Sequence, residues 1–206
     1  MFKRFALSLS LAVAAPAAAQ EPPTPPATDL VVLETSLGDI TLEIETARAP
    51  VTAANFLRYV DQHRFDGTVF YRAMRLDWGQ QPNGLIQGGT QMDPKRTLPP
   101  IAHEPTSQTG LRHTAGTISM ARYAPGTATG DFSIMLSDQP SLDADPKGQT
   151  DDARAGFAAF GHVVSGMDVV RKIFAQPTDP DKGEGWMKGQ MLAQPVTIVH
   201  ARRVGA

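Results

Sequence analysis

The feature that most constrains this chain is the spacing of its apolar residues, which fall in short strand-length runs cut by glycine and proline. Ile40, Leu42 and Ile44 alternate with Thr41, Glu43 and Glu45, the period-two pattern of a strand with one buried face. Leu30–Leu33 precedes them across Ser36-Leu37-Gly38-Asp39, which predicts a hairpin. Further strand-like runs lie at Thr68–Arg72, Leu85–Gln87, Thr117–Met120, Phe132–Leu136, Phe157–Val164 and Val196–Ala201. Only two stretches carry helical periodicity. Pro50 opens the first, Val51–Gln62, with Phe56, Leu57 and Val60 on one stripe; the second, Met167–Ala175, stops before Pro177. Many short strands and two helices predict a sandwich or a closed barrel.

Ahead of this body stands a segment of different texture. Lys3 and Arg4 precede the apolar run Phe5–Ala15, and Ala17-Ala18-Ala19 precedes Gln20. That three-part layout predicts a secretory signal peptide over residues 1–19 and a periplasmic location. The run is too short to cross a bilayer, so no membrane attachment is expected once the leader is removed. Gln20–Thr28 holds four prolines and reads as an extended tether. The domain itself is expected over 29–206, acting as a monomer.

Several chemistries lack their ingredients. The chain has no cysteine, which removes disulfides, thiolate nucleophiles and thiolate metal sites. Its formal net charge of −2 gives no nucleic-acid footprint. The five histidines are scattered, with no paired spacing for a metal. Asp143, Asp145, Asp151 and Asp152 sit in or beside the polar stretch Ala144–Ala155 without calcium-loop spacing, which reads as a surface loop. No metal and no cofactor is expected. If the chain is an enzyme, its reaction should need positioning and one fixed charge rather than a nucleophile.

The motifs supply a more specific expectation. Phe65-Asp66-Gly67-Thr68-Val69-Phe70-Tyr71-Arg72 is followed by Leu85-Ile86-Gln87-Gly88-Gly89, then Gly116–Arg122, Asp131-Phe132-Ser133-Ile134 and Phe160–Val170. In this order the blocks resemble the cyclophilin family of peptidyl-prolyl isomerases across nearly all of 29–206. The resemblance implies a mainly β fold, a closed eight-stranded antiparallel barrel capped by two α-helices, acting on proline-containing polypeptide segments. It implies that Arg72 donates to the proline nitrogen of the twisted amide, with Gln87 orienting it. It places Tyr71, Leu85, Met120, Ala121, Arg122, Asp131, Ser133, Leu142 and Phe157 along the substrate groove, with backbone groups of Ala121 and Arg122 pairing with the peptide.

The chain also departs from the family pattern. Ser133 replaces a pocket phenylalanine, and Gly84 stands where a second is usual. Asp131 replaces a glutamine, Tyr71 a histidine, Ser141 a tryptophan, and Phe157 lies where a pocket histidine is common. Asp77–Asn83 reads as an insertion whose Trp78 either folds over the groove or packs outside it. Three functions remain in view. One is an exported isomerase assisting folding; the second is a proline-peptide-binding or chaperone-like module with little catalysis. The third is a barrel for small apolar ligands, with Arg72 in a surface ion pair.

Overall fold

In a computed structural model that describes residues 27–205, eight strands close into one antiparallel barrel. The signal-peptide expectation and all of the tether but its last two residues lie outside the described residues. Ala27 accepts hydrogen bonds from Thr46 Oγ1 and the Ala47 amide, which seats the start of the domain. The strands are β1 (Asp29–Thr35), β2 (Gly38–Ile44), β3 (Val69–Arg75), β4 (Gly84–Gly89), β5 (Thr117–Met120), β6 (Asp131–Met135), β7 (Ala158–Ser165) and β8 (Met191–Arg203). Around the barrel they run β1-β2-β7-β5-β6-β4-β3-β8. Closure leaves no open sheet edge.

Both expected helices are present, as α1 (Pro50–Asp61) and α4 (Met167–Phe174). Two short ones accompany them, α2 (Thr106–Thr109) and α3 (Asp151–Ala155). The second of these turns the end of the expected polar loop into helix, because Thr150 Oγ1 caps it by accepting the Ala153 amide. Inside the barrel, alternate strand residues form one apolar core, and the buried face of α1 packs against it. Phe56 of α1 packs against Phe65, Phe132 and Phe160, with ring centroids 5.1–5.5 Å apart. Phe70 meets Phe132 edge-on.

Several strands run past their expected spans, β3 to Arg75 and β4 over Gly84–Gly89, and β8 departs furthest. The sequence puts its beginning at Val196, because Pro195 cannot donate to a ladder. In fact β8 starts at Met191, and Pro195 falls in a register break: Met191 pairs with Arg72 and Val196 with Phe70. No ladder bond is required of the residues in between.

The N-terminus of α1 is completed from a distance. Its N-cap, Ala49, has no side chain to accept a bond. The buried Glu104 carboxylate instead accepts the Val51 amide at 3.1 Å, and the Thr52 amide and hydroxyl at 2.6 Å each. A carboxylate there satisfies orphan donors and complements the helix dipole. Glu104→Ala is expected to lower stability by about 2 kcal/mol, since the buried Thr52 amide and hydroxyl and the half-buried Val51 amide lose their acceptor. Urea denaturation checks this, with Glu104→Gln falling between the variant and the parent.

Candidate active site

The site lies on the outer face of four consecutive barrel strands, β5, β6, β4 and β3. Alternation supplies most of it. On β4, Leu85 and Gln87 face the groove while Ile86 faces the core; on β6, Asp131, Ser133 and Met135 face out while Phe132 and Ile134 face in. The exception is β3. Phe70 and Ala73 belong to the core, yet Tyr71 and Arg72 both line the groove. Strict alternation would send Arg72 inward beside Phe70. A β-bulge prevents this: the register with both β4 and β8 shifts between Phe70 and Arg72, leaving Tyr71 without a partner on either side.

Arg72 is buried but held by neutral groups. Its Nη1 donates to Gln87 Oε1 at 2.6 Å, and its Nε and Nη2 donate to Gln190 Oε1 at 2.9 and 2.6 Å. Three of the five guanidinium N–H groups are thereby engaged, leaving one on each terminal nitrogen. The Trp186 ring lies 4.5 Å from the guanidinium carbon, a cation–π contact. Burial pushes Arg72 down to about 10, so it remains charged at neutral pH.

All eleven residues expected at the groove line one cavity of about 450 Å³. The structure refines the roles of two. The Ala121 amide already donates to the Asp131 carbonyl at 2.9 Å, so it is not free to pair with a peptide. The Arg122 guanidinium stacks on Phe157 at 4.5 Å, donates to the Gly156 carbonyl and pairs with Asp152. Its side chain holds the Phe157 wall in place.

Trp78 packs outside the groove and is 65% exposed. Asn83 fixes that loop: its Nδ2 donates to the Trp78 carbonyl, while its Oδ1 accepts from Ser137 and Gln139. The indole at the site is Trp186, from the segment between α4 and β8. Nor does Gly84 leave a missing wall. It does not line the groove, and a Cβ there would sit 2.0 Å from the Met74 carbonyl. Ser133 does open the pocket, and methionine fills much of the lining. Met74, Met92, Met120, Met135, Met187 and Met191 all face the cavity, six of the eight methionines in the chain. No periodicity pointed to Trp186 or Gln190, because both precede a strand whose start was hidden by Pro195.

A further buried line runs beneath the groove. His113 meets Asp143 Oδ1 through Nδ1 at 2.7 Å and Ser119 Oγ through Nε2 at 2.8 Å. Burial holds the imidazole below its usual range, so it is neutral at pH 7. The order matches an acyl-transfer triad, but Ser119 is 2% exposed and lies within β5 between Ser133 and Ala159. There is no exposed elbow to present its hydroxyl. The line acts as a brace, tying the segment that carries Leu142 to the groove floor.

Barrel, fork and groove together present a buried, fixed cation to a cavity lined largely by apolar side chains. The comparisons agree. The family model described as "Cyclophilin type peptidyl-prolyl cis-trans isomerase/CLD" matches residues 30–203. A peptidyl-prolyl cis-trans isomerase of Acinetobacter baylyi is 39% identical over 177 residues, 84% of each chain. Peptidyl-prolyl cis-trans isomerase B of Escherichia coli is 37% identical over 149 residues, 70% of this chain and 83% of the relative. A Cryptosporidium parvum cyclophilin-type isomerase, crystallised in the presence of the dipeptide Ala-Pro, shares the fold. Its TM-score is 0.67 at 19% identity, covering 86% of this chain and 99% of that one. The chain belongs to the cyclophilin-type peptidyl-prolyl cis-trans isomerases.

Two measurements test the site. Gln190→Ala removes two of the three bonds on Arg72, and is expected to lower kcat on the order of tenfold with KM little changed. Steady-state kinetics on an X–Pro peptide reads the split; a raised KM with kcat unchanged would assign Gln190 to binding instead. The second concerns Asp131, which burial pushes from 3.8 up to about 6. A raised acid penalises the folded state progressively as pH climbs from about 4 to about 6, and by a constant amount above. Asp131→Asn should therefore melt above the parent at pH 8, with the gap closing by pH 4.

Proposed function

We propose that the groove accelerates rotation about X–Pro bonds in unfolded, exported polypeptides, with Arg72 as the group that stabilises the twisted amide. The observation that carries this reading is the Arg72 fork: charged, buried, fixed by two glutamine oxygens and left with two free N–H groups. Rotation crosses a barrier of ~18–20 kcal/mol because amide resonance must be broken. In the perpendicular form the proline nitrogen regains a lone pair and accepts a hydrogen bond. Neither planar form offers that acceptor, so a donor aimed at it stabilises the transition state selectively.

Glutamines suit this task better than carboxylates. A carboxylate would neutralise the guanidinium and compete with a weak amide acceptor, whereas an amide oxygen orients it and leaves the charge available. Tyr71, Leu85, Met120, Ser133, Leu142 and Phe157 would contact the proline ring and its neighbours. Methionines suit varied clients, because their unbranched chains repack. The signal-peptide layout of residues 1–19 supports exported clients in the periplasm.

The test is NMR exchange between cis and trans X–Pro peptides. The parent should raise the exchange rate well above the uncatalysed one, and Arg72→Ala should lose on the order of 100-fold of that gain. Uncatalysed rates with the parent would overturn the reading. Peptide binding without accelerated exchange would assign the groove to a docking module, the alternative that Ser133 favours.

A further inference from the structure

The groove holds a second charge that the isomerisation step does not use. Asp131 opens β6 and lines the same cavity as Arg72. One carboxylate oxygen accepts the amide of Gln91, the residue before Met92, at 2.8 Å. Both of these residues have positive φ, +50° and +57°. Asp131 thus anchors the turn that carries Met92 to the groove rim. That amide leaves an ionised carboxylate with most of its acceptor positions open.

Among the described residues no lysine, arginine or histidine forms an ion pair with it; of the two arginines that line the same cavity, Arg72 is held by glutamines and Arg122 by Gly156 and Asp152. Tyr59 of α1 packs against neighbouring Gly130, and Tyr71 of β3 lines the same cavity; both phenols are pushed upward chiefly by burial. Burial is also the main influence on Asp131 itself, and raises it. An unpaired carboxylate in a partly dry groove carries a desolvation cost that a ligand cation would relieve. The cyclophilin motif that this chain resembles has a neutral glutamine there, so the charge is a property of this chain.

Register places that charge relative to the reaction. Arg72 pairs with Gln87, and Gln87 with Ser133; Asp131 lies two residues along β6 from Ser133. That is about 7 Å along the strand direction. A peptide with its proline nitrogen at Arg72 and an extended backbone would bring a residue two or three positions away within side-chain reach.

We propose that Asp131 selects proline segments carrying a lysine or arginine two or three residues from the proline. The proposal rests on the isomerase reading of the groove and specifies its substrate class.

The experiment uses the full domain and peptides in which lysine, norleucine or glutamate is scanned over three positions on each side of one proline. Binding is read by tryptophan fluorescence or NMR shift, and turnover by exchange. At pH 8, lysine at one position should be preferred to norleucine by about tenfold in Kd, with glutamate weaker still. The preference should shrink at pH 5, where Asp131 is largely protonated. The phenols do not titrate in that range, and Arg72 stays charged. In Asp131→Asn the lysine-to-norleucine ratio should fall to near one at both pH values, a ratio that a general loss of folding would not produce. Equal affinities for all three peptides with exchange intact would overturn the proposal and leave the isomerase reading standing. Lysine preference without exchange would support Asp131 and overturn catalysis. A lysine preference that survives in Asp131→Asn would assign it to another group.

Discussion

The bulge at Tyr71 is the constraint on which the site depends. It lets one strand serve two incompatible demands, an aromatic core contact at Phe70 and a groove cation two residues later. Both neighbours yield at the same place: β4 skips Tyr71 in its pairing with β3, and β8 resumes at Met191 after a break. That coincidence puts glutamines on both sides of Arg72, Gln87 from β4 and Gln190 from the residue just before β8. The barrel then supplies rigidity. Gly88 packs so closely under Phe70 that a Cβ would lie 2.8 Å from its ring, so the strand cannot relax toward a regular register without disturbing the core.

Much of this was legible in the sequence, for reasons that differ by element. The hairpin of β1 and β2 shows because one face meets the core and the other meets solvent, which writes alternation into the residues. Arg72 and Gln87 were legible only through their motifs, because an arginine near a strand end is by residue type an ordinary ion-pair former. Trp186 and Gln190 were not legible. Their positions follow from the β8 register break, and a proline inside that break reads as a strand terminator. Trp78 was the more conspicuous tryptophan because it lies between Arg72 and Gln87 in the chain. Asn83, bonded to Ser137 and Gln139, holds its loop elsewhere.

The groove combines a stiff floor with adaptable walls. Ser119, His113 and Asp143 are joined by short hydrogen bonds in a buried line, and such networks have few alternative arrangements. Above them, six methionine side chains present flexible apolar surface. A catalyst for amide rotation needs this division. The donor must stay fixed while the ring and carbonyl move, and the walls must accept cis, twisted and trans forms of one peptide. Replacing a pocket phenylalanine by Ser133 gives up some apolar contact and widens the range of shapes that fit.

Charge is distributed in the groove by the same logic. Among the described residues Arg72 has no carboxylate partner and Asp131 no cation in an ion pair with it, although both line one cavity; Tyr71 stands between their influences and feels each. Had the two been neighbours, they would have neutralised one another and left nothing to recognise a substrate. Separation along β6 keeps each charge unspent, at a desolvation cost carried by the well-packed barrel beneath. The arrangement also sets a direction. A peptide bound with its proline at the guanidinium and a basic side chain at the carboxylate fits in one sense along the groove, and reversing it would bring cation to cation.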